Sequence, residues 1–296
     1  MATLYTQKDK NISRTWMLMG LFLVIVIGSG YFLSYYYHNP SILYIAVIFS
    51  VVMNITSYWY SDKIVTKLAG AKEAPDGGEY AELHNIVENL AITAGLPKPK
   101  VFIITDSAPN AFATGRDPKH AVVAVTTGLL GILNRTELEG VVAHELSHIG
   151  NRDMLLSTVA AVLVGFMTIL ADMFMRSMWW GRGRDDDSRG GSLLAIVGVI
   201  FIILSPLFTQ LIQLAISRKR EYLADASGAL LTRYPEGLAS ALEKIGAHAQ
   251  PLSHQSKAIA HIYLADPRGM GSRIANLFQT HPPLKDRIAA LLGSKK

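Results

Sequence analysis

The chain has 296 residues, half of them apolar, with 17% charged and a formal net charge of +5. Soluble domains carry about a quarter charged residues, so this composition suits a bilayer better than water. Zero cysteines exclude disulfides, thiolate ligands and a cysteine nucleophile, and basic residues not interleaved with aromatics along a face exclude a nucleic-acid module.

A hydrophilic leader, residues 1–14, precedes a stretch from 15 to 61 without Asp, Glu, Lys or Arg. His38-Asn39-Pro40 breaks it into two runs, 15–37 and 41–60, each long enough to cross a ~30 Å hydrocarbon core as a helix. The first run is too long for a cleaved signal peptide, and no small-residue cleavage site follows it. Beyond the runs, Leu83, Ile86, Val87 and Leu90 predict an amphipathic helix from Tyr80 to Ala94, ended by Gly95 and Pro97. Val101 to Ile104 and Ala121 to Val125 read as strands. Between them, Asn110 to Thr114, bounded by Pro109 and Gly115, reads as a short strand at the sheet edge. Its unpaired backbone suits an extended peptide, and an ordinary edge strand with Phe112 in the core fits equally well.

His144-Glu145-Leu146-Ser147-His148 follows. On a helix, residues four apart share a face, so the two imidazoles can grip one Zn²⁺ while Glu145 projects beside it as a general base. Leu138, Val141, Val142, Leu146 and Ile149 supply the buried face, and Thr136 with Glu139 three residues on predicts the capping box that starts the helix. A catalytic zinc needs a third protein ligand and an open position. Glu221 is the candidate. Asp225, one turn beyond, would accept the free ring N–H of a ligating histidine.

Met154 to Ala171 and Gly190 to Ser217 are uncharged and predict a second pair of spans. Pro206, Gln210 and Gln213 suggest that the fourth does not face lipid all round. Were the third run a buried core helix, Glu221 would emerge on the side opposite His144 and no site could form, so parity favours four spans. The domains are then 1–61, a leader and first hairpin; 62–152, the first catalytic part; 153–217, a second hairpin; and 218–296, the second catalytic part, with helices over Pro235–Gly246 and Pro283–Leu292. Lys8, Lys10 and Arg14; Lys63, Lys67 and Lys72; and Arg218-Lys219-Arg220 fall on one side of this arrangement, which predicts a cytoplasmic active site close to the membrane surface. The 176–191 loop, with four arginines against Asp185-Asp186-Asp187, counts weakly the other way.

Four stretches together carry a family likeness: His144 to His148 paired with Glu221-Tyr222-Leu223-Ala224-Asp225, Asn110 to Gly115, Thr126 to Leu130, and His281-Pro282-Pro283-Leu284 leading to Arg287. The chain resembles the gluzincin metalloproteases, and within them the HtpX-type membrane proteases, over nearly its whole length. The leader departs from the many relatives that begin almost at the first span. The resemblance implies an α+β, mostly helical fold, with four transmembrane helices and a zincin-like catalytic domain holding a small sheet. It implies one Zn²⁺ per chain on His144, His148 and Glu221, with Glu145 as base. It places substrate along Asn110, Ala111, Phe112 and Ala113. His281 either supplies the oxyanion donor, with Arg287 as rival, or plainly caps the C-terminal helix. The expected setting is the bacterial cytoplasmic membrane. The expected substrates are polypeptides, chiefly damaged or misfolded membrane proteins, in a quality-control and stress role with self-cleavage. Two other readings stay open: a processing peptidase resembling the prenyl-protein proteases, for which four spans are few, and a scaffold with a structural zinc, which would have no need of Glu145.

Overall fold

The computed structural model describes residues 4–180, 217–253, 259, 262–265 and 282–293. The expected fourth span up to residue 216, the acidic loop and His281 lie outside them.

Helix α1 (Leu4–Tyr36) and helix α2 (Ser41–Trp59) form an antiparallel hairpin turned at His38, whose φ is +52°. Both are long and apolar enough to cross a membrane. Residues 4–14 of the leader form no separate element; they are the first three turns of α1. Val24, Ile45 and Ile48 are exposed along the hairpin, as lipid-facing residues are, while Leu18, Phe22 and Met53 are buried inside it. Trp16 and Tyr58 stack at 5.9 Å near one end, and Tyr31, Tyr35, Tyr36 and Tyr44 lie exposed toward the other. Aromatic girdles of this kind mark the two membrane–water interfaces.

Helix α3 (Ser61–Leu68) leads into a four-stranded mixed sheet of order β1-β2-β4-β3, from Lys72–Glu73, Lys100–Ile104, Ala121–Thr126 and Ala111–Gly115 respectively. Strands β2 and β4 are parallel, and the two outer pairings are antiparallel. Strand β3 is an edge strand, as the sequence predicts. The period of two then divides the sheet's faces between two cores. Val101, Ile103, Ala111, Ala113, Val123 and Val125 pack toward helix α4 (Ala81–Thr93) and helix α6 (Arg135–Gly150), with the short helix α5 (Thr127–Ile132) between β4 and α6. Phe102, Ile104, Phe112 and Ala124 pack on the membrane side, against residues of α1, α3 and helix α7 (Asp153–Trp180). One sheet therefore separates the motif helix from the bundle.

Helix α6 is capped by Asn134 and not by Thr136. The Asn134 side chain accepts from the Glu137 N–H, and Glu137 returns a bond to the Asn134 N–H, which makes Glu137 the N3 residue. Glu139 is instead spent on Arg135, at 3.0 Å. Lys244 and Ser240, from helix α9 (Pro235–Ala247), also bond to Glu137 and favour this frame. Helix α8 (Arg218–Thr232) lies along α6, and helix α10 (Leu284–Leu291) packs on α8 and α9. Between α6 and α7 the chain bends by 81°, with Arg152 in the left-handed region at φ +59°. This bent pair is a third candidate crossing beyond α1 and α2.

Candidate metal centre

Helix α6 presents His144 and His148 on one face, with rings 4.7 Å apart and almost perpendicular. Helix α8, packed on it, brings Glu221 to the same place. Donor atoms of these three residues lie within 4.8 Å of one another. The His144 and His148 Nε2 atoms are 3.1 Å apart, and Glu221 oxygens lie 3.9 and 3.7 Å from them.

Each ring turns its other nitrogen to a carboxylate. His144 Nδ1 lies 2.9 Å from Asp225 Oδ1, and His148 Nδ1 lies 3.3 Å from Asp153 Oδ2. A ring whose Nδ1–H is held by a carboxylate leaves Nε2 as its free lone pair, the tautomer a metal needs. Both Nε2 atoms then point at one another and at Glu221. Two imidazoles and a carboxylate so arranged fit a divalent cation.

At each of these groups burial and the neighbouring charges act against one another. Asp225 is buried, which alone would raise its pKa; the Arg287 and His144 hydrogen bonds and charges outweigh this and hold it down at about 2. Burial would likewise lower His148, yet the Asp153 bond and the Glu221, Asp153 and Glu145 charges raise it to about 9. Glu145, 2% exposed beside both rings, is pushed up by burial, opposed by the charges of His144, His148 and Arg287. A carboxyl poised nearer neutrality exchanges protons more readily at physiological pH.

Arg287 is fully buried. It donates to both oxygens of Asp225, and its Nη1 lies 3.8 Å from Glu221 Oε2. Its guanidinium is thereby committed to Asp225, behind the His144 ring, and to Glu221, which does not favour it as the oxyanion donor.

The expected edge strand is present, and its outer side is partly covered. The Thr126 N–H donates to the Asn110 carbonyl, so the backbones of Ala111 and Ala113 face away from β4. Leu264 N–H donates to the Ala111 carbonyl at 2.9 Å. The Asn110 side chain bonds both backbone groups of Ala265. Phe112 is buried edge-on against Tyr263, 5.2 Å between centroids, so its ring belongs to the core.

Sequence reasoning passed over three site residues. Asp153 follows His148 by five positions, which on a straight helix is not the same face; only the bend at Arg152 returns it. Gly228 shows its role only through contact: a Cβ there would stand 3.0 Å from His144 N and 3.2 Å from its Cα. Asn11 lies in the leader, far from the motif in sequence, and is buried against Asp153.

The sequence matches peptidase family M48 over residues 78–295. It is 49% identical over 294 residues to a protease HtpX homolog of Thermoanaerobacter pseudethanolicus, covering 98% of this chain and 97% of that protein. It is 47% identical over 286 residues to a protease HtpX homolog of Pyrococcus furiosus, covering 94% of each. Among solved structures, the crystal structure of S. mikatae Ste24p superposes with a TM-score of 0.51 at 21% identity, covering 94% of this chain and 67% of that one. That likeness is one of fold.

Proposed function

This chain belongs to peptidase family M48, and we propose that it is an integral-membrane zinc endopeptidase of the HtpX type with Glu145 as its general base. The observation that carries the reading is the convergence of the His144 and His148 Nε2 atoms with the Glu221 carboxylate. Two nitrogen donors and one oxygen donor, with no thiolate, suit zinc with one position left open. Zinc held there supplies Lewis-acid activation of water and of the scissile carbonyl. Glu145 takes the proton from the attacking water and passes it to the leaving amine. Asp225 keeps His144 in its ligating tautomer, and Arg287 keeps Asp225 ionised.

Substrates are polypeptides. An extended segment adds to β3 on the side away from β4, beside the Leu264–Ala265 segment that already bonds to Ala111 and Asn110. The chain crosses the membrane four times, through α1, α2, α7 and residues 190–217, with residues 62–152 and 218–296 forming one catalytic unit on the cytoplasmic face. The Asn11 contact supports an even number of crossings between the leader and Asp153, the two of α1 and α2, because the leader and the metal centre then share one side. A site this close to the bilayer favours cytosolic loops and tails of damaged membrane proteins, this chain's own included. His281 remains the proposed oxyanion donor.

The test compares wild type with Glu145→Ala, purified in detergent and incubated with zinc and an unfolded casein-like substrate. The variant is expected to hold zinc stoichiometrically while turnover falls about 100- to 10,000-fold. Chelator-sensitive proteolysis at the wild-type rate in the variant would sink the assignment of Glu145.

A further inference from the structure

Asp225 accounts for the Nδ1 of one imidazole. The other belongs to Asp153, and Asp153 is held by a membrane helix.

Asp153 opens α7 immediately after the left-handed turn at Arg152. That turn folds the first residue of α7 back toward the last turns of α6, which is how Oδ2 comes within 3.3 Å of His148 Nδ1. Asp153 is 4% exposed, so its orientation is set by protein groups and not by water. Two other elements supply those groups. From α1, the Asn11 Nδ2 donates to Asp153 Oδ1 and also to the Asn151 carbonyl, at 3.0 Å. From α8, Arg220 Nη1 lies 3.6 Å from the same Oδ1. Asn11 is itself fully buried. It lies five residues before Trp16, about 7–8 Å along the helix. Its amide thus clamps one Asp153 oxygen while the other oxygen faces the imidazole.

We infer that Asp153 is a positioning residue for His148 and that Asn11, on the cytoplasmic extension of the first membrane helix, fixes Asp153 in that role. The inference rests on the reading of His148 as a metal ligand. The chain Asn11–Asp153–His148 makes the α1 leader part of the apparatus that orients the metal centre. It also gives an acidic residue at this helix start a purpose beyond the helix dipole. The dipole alone would favour any carboxylate in the first turn, whereas orienting Nδ1 demands one at a set distance.

The experiment measures zinc affinity by competition with a chromophoric chelator, on the full chain in detergent, for wild type, Asp153→Asn, Asn11→Ala, the double variant and His148→Ala. Asp153→Asn is expected to weaken zinc binding about 10- to 100-fold, as loss of an outer carboxylate does. Asn11→Ala is expected to weaken it about 3- to 10-fold, and to add nothing in the Asp153→Asn background, because the two act through one carboxylate. Asp153→Glu keeps a charge at the helix start but displaces the carboxylate by a methylene. It should also lose affinity, and it serves in place of Asp153→Asn if that variant does not fold. Wild-type affinity in Asp153→Glu and Asn11→Ala, or independent additive effects, would overturn the inference. His148→Ala separates this failure from a deeper one: unchanged zinc binding there means that the metal centre itself has been misassigned.

Discussion

Arg287 grips Asp225 through both Nε and Nη2, at 2.9 and 2.7 Å, and Asp225 Oδ1 also lies 2.9 Å from His144 Nδ1. A fully buried cation is thus joined through one carboxylate to an imidazole of the metal centre. Asp225→Asn is expected to weaken zinc binding about 10- to 100-fold. It should also destabilise the protein by about 3–5 kcal/mol, because Arg287 is left buried without its carboxylate. Sequence reasoning anticipates the first effect with an intact fold; the pairing adds the second. Removing both partners in Asp225→Asn with Arg287→Leu should recover part of the melting temperature and none of the zinc affinity. Full zinc affinity in the folded Asp225→Asn protein would return Asp225 to a purely structural role.

Gly228 sets the spacing of the two helices that build the centre. The atoms a Cβ would meet at Gly228 are backbone atoms of His144 and Ala143, so no side-chain rotation relieves the contact. Gly228→Ala should push α8 back by a few tenths of an ångström and take Glu221 with it. We expect about tenfold weaker zinc binding. Helix propensity alone predicts the opposite sign for stability, since alanine favours a helix by about 1 kcal/mol over glycine. A more stable Gly228→Ala protein with wild-type zinc affinity would show that the close approach is unimportant.

Glu137 ties the start of the motif helix to α9. Burial would raise its pKa, but hydrogen bonds from Lys244, Ser240 and the Asn134 backbone, and the Lys244 charge, lower it below its ordinary value. A depressed carboxylate contributes stability that is present above the unfolded-state pKa and lost as pH falls through the folded one. Glu137→Gln should therefore cost about 1–3 kcal/mol at neutral pH, and the difference from wild type should shrink below about pH 4. Thermal unfolding of both proteins across that range is the measurement, and a pH-independent difference would rule out the ionised carboxylate as the cause.

The proposed orientation is tested on a background free of cysteine. His38, at the hairpin tip, and Lys67, in α3, are both exposed and fall on opposite sides of the membrane. With an impermeant thiol reagent applied to intact cells, His38→Cys should label and Lys67→Cys should label only after lysis. The reverse pattern would invert the topology. Ser61, at the end of the hairpin, is a poorer probe because it is buried.

Local pattern was enough to read much of this protein. The uncharged run 15–61 gave the hairpin, because a bilayer tests only length and apolarity. Short continuous apolar runs at Val101–Ile104 and Ala121–Val125 gave two strands, and Pro109 with Gly115 bounded the edge strand between them. The i, i+4 spacing placed His144 beside His148, and again Glu221 beside Asp225, because one helical turn is a local fact. What tertiary structure decided lies where distant segments meet or the helix period breaks. The cap moved from Thr136 to Asn134 once Lys244 and Ser240 bonded to Glu137. Asp153 reached His148 only through the turn at Arg152, and Asn11 only because α1 packs against α7. Gly228 matters through the backbone of another helix, and Arg287 through a carboxylate 62 positions away. Periodicity reports which face a residue takes on its own element; which residue faces it from another element depends on how those elements pack.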